Sequence, residues 1–309
     1  MRIFIAGLLS LSFISGVALA TPQASATLVN SHKNTTASAP VAAQQINQLK
    51  YLVEIHEYQK AIDYGKVAYS NSHDSKIALY LGKTYFLKKN YLIAKKYFED
   101  AASKGEALAM LTLGNMYGSG TGMKRNPEKA RLWYSRAVAH GNVSAMNYLG
   151  LIYRDGVGVS VNYPRAISLF EAAVGQGNSE GMVNLAYMYE HGMGVKANNA
   201  MVIDYYTKAA RLGNVYAMNN LGVIYAEGVL VKRDYSQSIN WYTLAAAKGD
   251  ANAQFNLGVF YFNGTGVVKD YAFARKWFNL AKSNGSIPAE AYLIKLDKLQ
   301  AGPNSGDKK

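Results

Sequence analysis

Two glycine-rich segments are the parts of this chain that most resemble a site for chemistry. Residues 118–122 (Gly-Ser-Gly-Thr-Gly) and 192–196 (Gly-Met-Gly-Val-Lys) carry small residues of the kind that cradle phosphate groups. A dinucleotide loop should follow a strand, and a P-loop needs Gly-Lys followed by Ser or Thr. Both segments instead follow helical patterns, and equivalent glycines recur at Gly156, Gly228 and Gly264. We therefore predict that both segments are turns between helices.

The histidines and carboxylates give no better candidate. The five histidines show neither an HExxH motif nor a pair spaced i, i+4, and there is no cysteine, so the patterns of a structural zinc site are missing. Glu54, His56 and Glu57 are close in sequence, but we interpret them as solvated charges at a helix end. Catalysis needs a unique set of residues that breaks the repeat described next. We find none, and we expect no enzyme activity, metal or cofactor.

A 36-residue repeat sets the positions of most residues in this chain. Three ladders share the period: Gly141, Gly177, Gly213, Gly249 and Gly285; Tyr117, Tyr153, Tyr189, Tyr225 and Tyr261; Ala137, Ala173, Ala209, Ala245 and Ala281. Three registers with one period indicate an array of one repeated unit. Such a unit buries its apolar face only against its neighbours, which predicts a solenoid with a long concave surface.

Each unit has the pattern of two helices. In the unit that starts at Val143, apolar residues recur at spacings of three and four, as one face of a helix requires, and Gly177 follows the second helix where a left-handed residue is needed. A small residue in each first helix would let the two helices approach closely. These residues are Gly114, Gly150, Ala186, Gly222 and Gly258. Large residues in the second helices should fill the space between units: Trp133, Leu169, Tyr205, Trp241 and Trp277.

The repeated string A-M-x-x-L-G-x-x-Y-x-x-G-x-G-V-x-x-x-Y-x-x-A-x-x-x-x-x-A-A-x-x-x-G-N resembles the Sel1-like repeat, a relative of the tetratricopeptide repeat. The best copies are 145–178 and 253–286. Residues 78–105 lack the glycine insertion between helices and, with 46–68, look more like tetratricopeptide units. Leu230 replaces a loop glycine, and Asn199 and Pro127 replace a tyrosine, which weakens individual copies. The resemblance implies an all-α fold, a right-handed α-solenoid of antiparallel helix pairs that binds proteins.

The predicted organisation follows from these patterns. It comprises a signal peptide at 1–20, a flexible linker at 21–45, tetratricopeptide-like helix pairs at 46–106, five Sel1-like repeats at 107–286, a capping helix at 287–299 and a disordered tail at 300–309. Arg2, the apolar run 3–17 and Ala18-Leu19-Ala20 fit a cleaved export signal, too short to span a membrane. We expect a periplasmic or secreted bacterial protein.

The resemblance also implies which residues meet a partner. In related repeats the first helices line the concave surface, and ligands contact residues beside the small packing residue. Carried over by position, these are Asn147, Leu151, Val183, Asn184, Tyr187, Asn219, Asn220, Val223, Phe255, Asn256, Val259 and Phe262. The aromatic residues among them should be anchors. Asn184, Asn220 and Asn256 form a ladder that could bond a peptide backbone, or could instead bond adjacent helices to each other.

We predict an exported, monomeric adaptor that holds an extended peptide or a helix of another protein. Exported bacterial members resemble envelope regulators, assembly factors or virulence factors that meet host proteins. The alternative is a binder of polyanions or anionic envelope components, because the net charge is +13 and lysines cluster at Lys83, Lys88, Lys89, Lys95 and Lys96. We expect no specific nucleic acid and no membrane span.

Overall fold

The computed structural model describes residues 39–301, in which all regular structure is helical. The helices are α1 (Ala39–Glu54), α2 (Tyr58–Ser72), α3 (Ser75–Leu87), α4 (Tyr91–Ser103), α5 (Ala107–Ser119), α6 (Pro127–Ala139), α7 (Val143–Asp155), α8 (Tyr163–Gly175), α9 (Ser179–His191), α10 (Asn199–Arg211), α11 (Val215–Glu227), α12 (Tyr235–Ala247), α13 (Ala251–Asn263), α14 (Tyr271–Ser283) and α15 (Ile287–Ala301). The predicted signal peptide lies outside the described residues, as do the predicted linker up to residue 38 and the predicted tail from residue 302.

The chain divides into two compact units, residues 1–161 and 162–309. In the first unit, α3 packs on α4 and α5 on α6, while α1 packs on both α2 and α3. In the second unit, α9 packs on α10, α11 on α12 and α13 on α14, and α15 packs on α14. Helix pairs joined in this way form an all-α repeat solenoid, as predicted.

The small residues of the first helices are packing positions, as predicted. A Cβ atom added to Gly222 would lie 2.5 Å from ring atoms of Tyr242, and one added to Gly258 would lie 2.6 Å from ring atoms of Phe278. Both rings are almost fully buried. A glycine on the odd-numbered helix therefore lets the aromatic ring of the following helix reach its backbone, which sets how closely each pair approaches.

The second glycine of the loop inside each 36-residue repeat contacts the start of the even-numbered helix of the preceding repeat. A Cβ atom on Gly194 would lie 2.4 Å from Cβ of Tyr163, and one on Gly266 would lie 2.4 Å from Cβ of Tyr235. These glycines also have a positive φ. Residues 120–122 and 192–196 lie in the turns that join α5 to α6 and α9 to α10, as predicted for the glycine-rich segments.

Two residues that depart from the repeat pattern, Leu230 and Asn199, contact each other. Leu230 stands at the loop-glycine position, and the residue that this position faces is Asn199 instead of a tyrosine. The side-chain amide of Asn199 donates to the carbonyl oxygen of Leu230 at 3.3 Å. Leu230 is not among the residues with a positive φ. The smaller residue at 199 and the changed loop backbone accommodate the leucine together.

The helical boundaries differ from the prediction at both ends. Helix α1 begins at Ala39, so the linker prediction is wrong for residues 39–45. Pro40 near the helix start and the alanines that follow favour a helix, which the Ser/Thr/Ala-rich composition obscured. Helix α15 extends to Ala301, which places residues 300 and 301 in a helix and not in the predicted tail.

Candidate interaction surface

The odd-numbered helices of the 162–309 unit share one length and one phase. Helices α9, α11 and α13 each have 13 residues. Each is capped at its start by a side chain that accepts a backbone hydrogen bond: Asn178, Asn214 and Asp250. Each ends at a left-handed glycine: Gly192, Gly228 and Gly264. Residues 36 apart in sequence therefore occupy equivalent places on these helices.

One stripe on each of these helices remains open to solvent. It follows the spacing i, i+4, i+7, i+11 of a single helical face, and all its residues are exposed or only partly buried. We call it the odd-helix face; its twelve residues are Glu180, Asn184, Tyr187, His191, Tyr216, Asn220, Val223, Glu227, Asn252, Asn256, Val259 and Asn263. The face contains amides, aromatic rings, two valines and carboxylates. It has no lysine or arginine, although the whole chain has a charge of +13.

The structure sorts the predicted contact residues into three groups. Six lie on the odd-helix face: Asn184, Tyr187, Asn220, Val223, Asn256 and Val259. Val183 and Asn219 are partly buried beside it, and Leu151 is partly buried in the 1–161 unit. Asn147, Phe255 and Phe262 are buried, with 6%, 9% and 6% of their surface exposed.

Phe255 and Phe262 are core residues, and the prediction that they anchor a partner is wrong. Their ring centroids lie 5.3 and 5.4 Å from that of Tyr292 on α15, edge to face. Phe255 also packs against Phe278 at 5.7 Å. The last helix thus covers the two phenylalanines, which belong to one buried cluster with Ala289 and Leu296.

The asparagine ladder makes no bond of the kind that would tie adjacent helices together. No hydrogen bond joins any two of Asn184, Asn220 and Asn256 among the described residues of this unit. On α11, Oδ1 of Asn219 and Nδ2 of Asn220 are buried and have no partner. A buried amide atom without a partner costs about 1–3 kcal/mol. Neighbouring residues therefore hold an unused acceptor and an unused donor.

Two aromatic contacts lie near the end of α9. The ring of Tyr187 stacks on that of His191 with centroids 4.1 Å apart. From the even-numbered helix α10, the hydroxyl of Tyr206 donates to Glu190 at 3.5 Å. Burial raises the pKa of Tyr206, and the nearby Glu190 and Tyr216 raise it further, so the phenol stays a neutral donor. Tyr216 itself is 46% exposed.

Sequence reasoning missed half of this face. The missed residues are Glu180, His191, Tyr216, Glu227, Asn252 and Asn263. The prediction used only the positions next to the small packing residue. The i, i+4, i+7, i+11 spacing measured from Asn184, Asn220 and Asn256 would have identified the others, because it follows one side of a helix from end to end.

The described residues offer no site for a metal or a membrane. Within 39–301, no group of three or more His, Cys, Asp or Glu side chains could hold a metal ion. None of the helices in that range is both long and apolar enough to span a bilayer. The arrangement on the odd-helix face is suited to contacts with a polypeptide: aromatic rings for burial, and amides that both donate and accept hydrogen bonds.

A family profile of the Sel1 repeat matches most of the chain. The matched segments are residues 76–106, 107–142, 143–178, 179–214, 215–250 and 251–286. These are six consecutive copies, one more than the five predicted. The additional copy, 76–106, lies in the region predicted to be tetratricopeptide-like.

Two solved structures show the same fold at appreciable identity. A Sel1 repeat protein from Oxalobacter formigenes is 30% identical, with a TM-score of 0.66, and the match covers 72% of this chain and 93% of that one. A protective antigen present in uropathogenic Escherichia coli strains, which displays an SLR fold, is 28% identical with a TM-score of 0.63. That match covers 81% of this chain but 59% of the antigen's length. No curated protein matches the chain.

Proposed function

This chain belongs to the Sel1 repeat family, and we propose that it is an adaptor that binds another protein through the odd-helix face of its 162–309 unit. Sel1 repeat proteins generally mediate protein–protein interactions, and the family is typically a non-enzymatic scaffold. The proposal extends this general role to a specific surface, and it includes no catalytic step.

The exposed ring of Tyr216 is the observation that supports this surface most strongly. It is 46% exposed, whereas the other large apolar side chains of the face, Tyr187, Val223 and Val259, are partly buried. Aromatic residues with some surface left to bury, on a face without lysine, match the composition of protein interfaces. A partner that covers Tyr216 would therefore gain apolar burial on an otherwise preformed surface.

The amides of α11 support a polypeptide as the partner. Asn219 holds an unused acceptor and Asn220 an unused donor, and both side chains are only partly buried. A carboxamide both donates and accepts hydrogen bonds, so a peptide group that reaches these side chains can pair with them. An extended segment or a helix end, each with free backbone groups, fits this requirement.

We also propose that the adaptor acts outside the cytoplasm, as a bacterial envelope regulator or a secreted factor that engages host proteins. The apolar run at 3–17 and the small residues around Ala20 support export. The similarity to a protective antigen of uropathogenic E. coli, of which this chain spans 59%, is compatible with a host-facing role. We propose a monomer in either setting.

Site-specific photocrosslinking tests the surface. A benzophenone amino acid is placed at position 216 or, as a matched control, at Leu244, which is 50% exposed on the even-numbered helix α12. The chain from residue 21 onward is then irradiated with envelope extract and with host-cell lysate. We expect a small set of protein adducts from position 216 that is not obtained from position 244.

The same pair of positions provides variants for a binding assay. Tyr216→Ala should weaken capture of the identified partner at least tenfold, and Leu244→Ala should leave it unchanged. Equal adducts from both positions, or equal binding by both variants, would reject the odd-helix face as the contact surface. The extract that supplies the partner decides between the envelope and the host role.

Binding of a polyanion is the second candidate, and one observation favours it. All five lysines of the predicted cluster lie on or beside α3 and α4, and Lys95 is the one that pairs with a carboxylate among the described residues, Glu99 at 3.4 Å. Lys88 instead donates to the amide of Gln59 at 2.9 Å. Loss of all binding between low and moderate salt would favour this candidate, because exposed charge–charge attraction is screened by salt.

A further inference from the structure

The last helix, α15, has the register of an odd-numbered helix at the start of a further repeat. Its Ala289 is fully buried and lies 36 residues after Ala253, the equally buried alanine of α13. Helix α15 packs on α14 in the way that α13 packs on α12. By the same register, Ile294 of α15 stands at the position of the packing residue Gly258.

The side of α15 that contains Ile294 is open to solvent. Ile287 and Ile294, two turns apart on this side, are 90% and 51% exposed. On α13 the equivalent side is covered by α14: the ring centroid of Phe278 lies 5.7 Å from that of Phe255, and the ring packs on the backbone of Gly258. No helix of the described part of the chain covers α15 in this way. We call this side the α15 face; its residues are Ile287, Ala291, Ile294 and Lys298.

Ile294 excludes a helix of the kind that covers α13. A Cβ atom on Gly258 would already lie 2.6 Å from ring atoms of Phe278, and one on Gly222 would lie 2.5 Å from ring atoms of Tyr242. Isoleucine has further carbons beyond its Cβ, so an aromatic ring at the same place would overlap with it. A helix that covers the α15 face therefore needs a small residue opposite Ile294.

The first helix pair of the chain already contains this exchange of large and small residues. Leu49 on α1 is equivalent to the packing residue Gly82 on α3, 33 residues later. Gly65 on α2 is equivalent in the same way to Phe98, whose ring covers Gly82. Leu49 is fully buried, and a Cβ atom on Gly65 would lie 3.2 Å from its Cδ1 atom. A bulky aliphatic residue at this position is thus compatible with a closely packed second helix.

The α15 face has a basic end. The carboxylates of α15 are already engaged by α14. Glu290 pairs with Lys282 at 2.9 Å, and Asp297 pairs with Arg275 at 2.6 Å. Lys298, in the last turn of α15, is exposed and forms no ion pair among the residues that the structure describes. An antiparallel helix on this face would begin near Lys298, and the first turn of a helix favours acidic residues.

We propose that the α15 face binds an amphipathic helix of another protein, in the place that α14 takes on α13. The bound helix carries glycine or alanine opposite Ile294 and an acidic residue in its first turn, near Lys298. Among the even-numbered helices that the structure describes, α2 alone has glycine at the ring position, and it is itself packed against α1 and α3. The occupant therefore comes from a different protein. The α15 face shares no residue with the odd-helix face and does not rest on the proposed adaptor surface.

A peptide with the sequence of α2 (Tyr58–Ser72) is the probe, because it has glycine where the face requires a small residue. A hydrocarbon staple on the side away from Gly65 keeps the peptide helical, since isolated helices of this length are marginal in water. Binding to the chain from residue 21 onward is followed by amide shifts in NMR spectra. We expect shifts in α15, and a peptide with Gly65→Phe should bind about tenfold more weakly.

A reciprocal variant tests whether Ile294 sets this preference. Ile294→Ala copies Ala186, the packing residue of α9, and should reverse the preference between the two peptides. Leu244→Ala is the matched control, because its side chain on α12 is 50% exposed against 51% for Ile294. It should bind both peptides as the parent chain does. Absence of shifts in α15, or equal binding of the two peptides to the parent chain, would overturn the proposal.

The basic end of the face has its own test. Gln59→Glu in the peptide adds an acidic residue to its first turn and should tighten binding about threefold. Lys298→Met in the chain should cancel this gain, and an equal gain in both chains would reject Lys298 as the contact. Tyr216→Ala should leave peptide binding unchanged; a loss would place the peptide on the odd-helix face and overturn the assignment to α15. Circular dichroism of each variant ensures that every comparison is made on folded protein.

Discussion

A loop glycine in the 162–309 unit can be exchanged only together with its neighbour. Gly194 has a φ of +72°, and a Cβ atom there would lie 2.4 Å from Cβ of Tyr163. Gly194→Leu therefore adds left-handed strain of about 1–2 kcal/mol and overpacking of about 1–3 kcal/mol. We expect a total loss of unfolding free energy of about 2–5 kcal/mol.

The chain itself contains the combination that relieves this loss. At the equivalent positions 230 and 199 it has leucine and asparagine, linked by a hydrogen bond of 3.3 Å. Tyr163→Asn should thus remove the overlap created by Gly194→Leu. The double variant is expected to be more stable than the sum of the two single changes by about 1–3 kcal/mol.

The assay is a double-mutant cycle in urea, with hydrogen exchange of amides in α8, α9 and α10 as a local readout. Local exchange matters because repeat arrays open unit by unit and need not unfold in one step. The reverse pair, Asn199→Tyr with Leu230→Gly, serves as the control and should also couple favourably. Coupling below about 0.5 kcal/mol in both cycles would refute the idea that the two positions accommodate each other.

Two further predictions concern the core and a helix cap. Phe255→Ala should lower the free energy of unfolding by about 3–5 kcal/mol and speed hydrogen exchange in α15, because its ring packs on Tyr292. Phe273→Ala, on the more exposed side of α14, is the control and should change neither quantity much. Lost partner binding with unchanged hydrogen exchange in Phe255→Ala would contradict this prediction. Burial raises the pKa of Asp250, which caps α13, above its ordinary 3.8. The folded state then binds the proton more tightly than the unfolded state, so this group stabilises the fold as the pH falls through the folded-state pKa towards 3.8. Asp250→Asn, which copies the caps Asn178 and Asn214, should remove this pH dependence of the unfolding free energy, measured by urea titrations from pH 3 to 7. Stability at neutral pH should not fall. An unchanged pH dependence in the variant would assign the effect to other groups.

The sequence-based prediction succeeded where the structure is determined within one 36-residue repeat. Apolar spacings of three and four gave the helices, and the 36-residue glycine ladder marked their ends. The packing role of Gly222 could be predicted because a small residue recurring on one helix face lets another helix approach. These features depend on contacts between residues that are close in sequence, and the repetition of the pattern made each of them visible several times.

The prediction failed where a residue's surroundings depend on the neighbouring repeat or on the last helix. Phe255 occupies a first-helix position that was expected to face a partner, yet α15 buries it through Tyr292. The link between Asn199 and Leu230 spans 31 residues, so each was visible as an isolated departure but not as half of a pair. Whether an aromatic residue is an anchor or a core residue cannot be read from its own helix alone.

The repeat also assigns different positions to helix packing and to contact with a partner. The residue after each packing glycine is only partly buried and differs in chemistry between copies: Lys83 and Asn115 in the 1–161 unit, Val223 and Val259 in the 162–309 unit. One unit consequently presents hydrogen-bond donors at this level and the other presents apolar groups beside amides. Since the repeated positions maintain the helix pairs in both units, we expect partner chemistry to depend on the positions that vary between copies. Exchanging such residues should alter what is bound while leaving the fold intact.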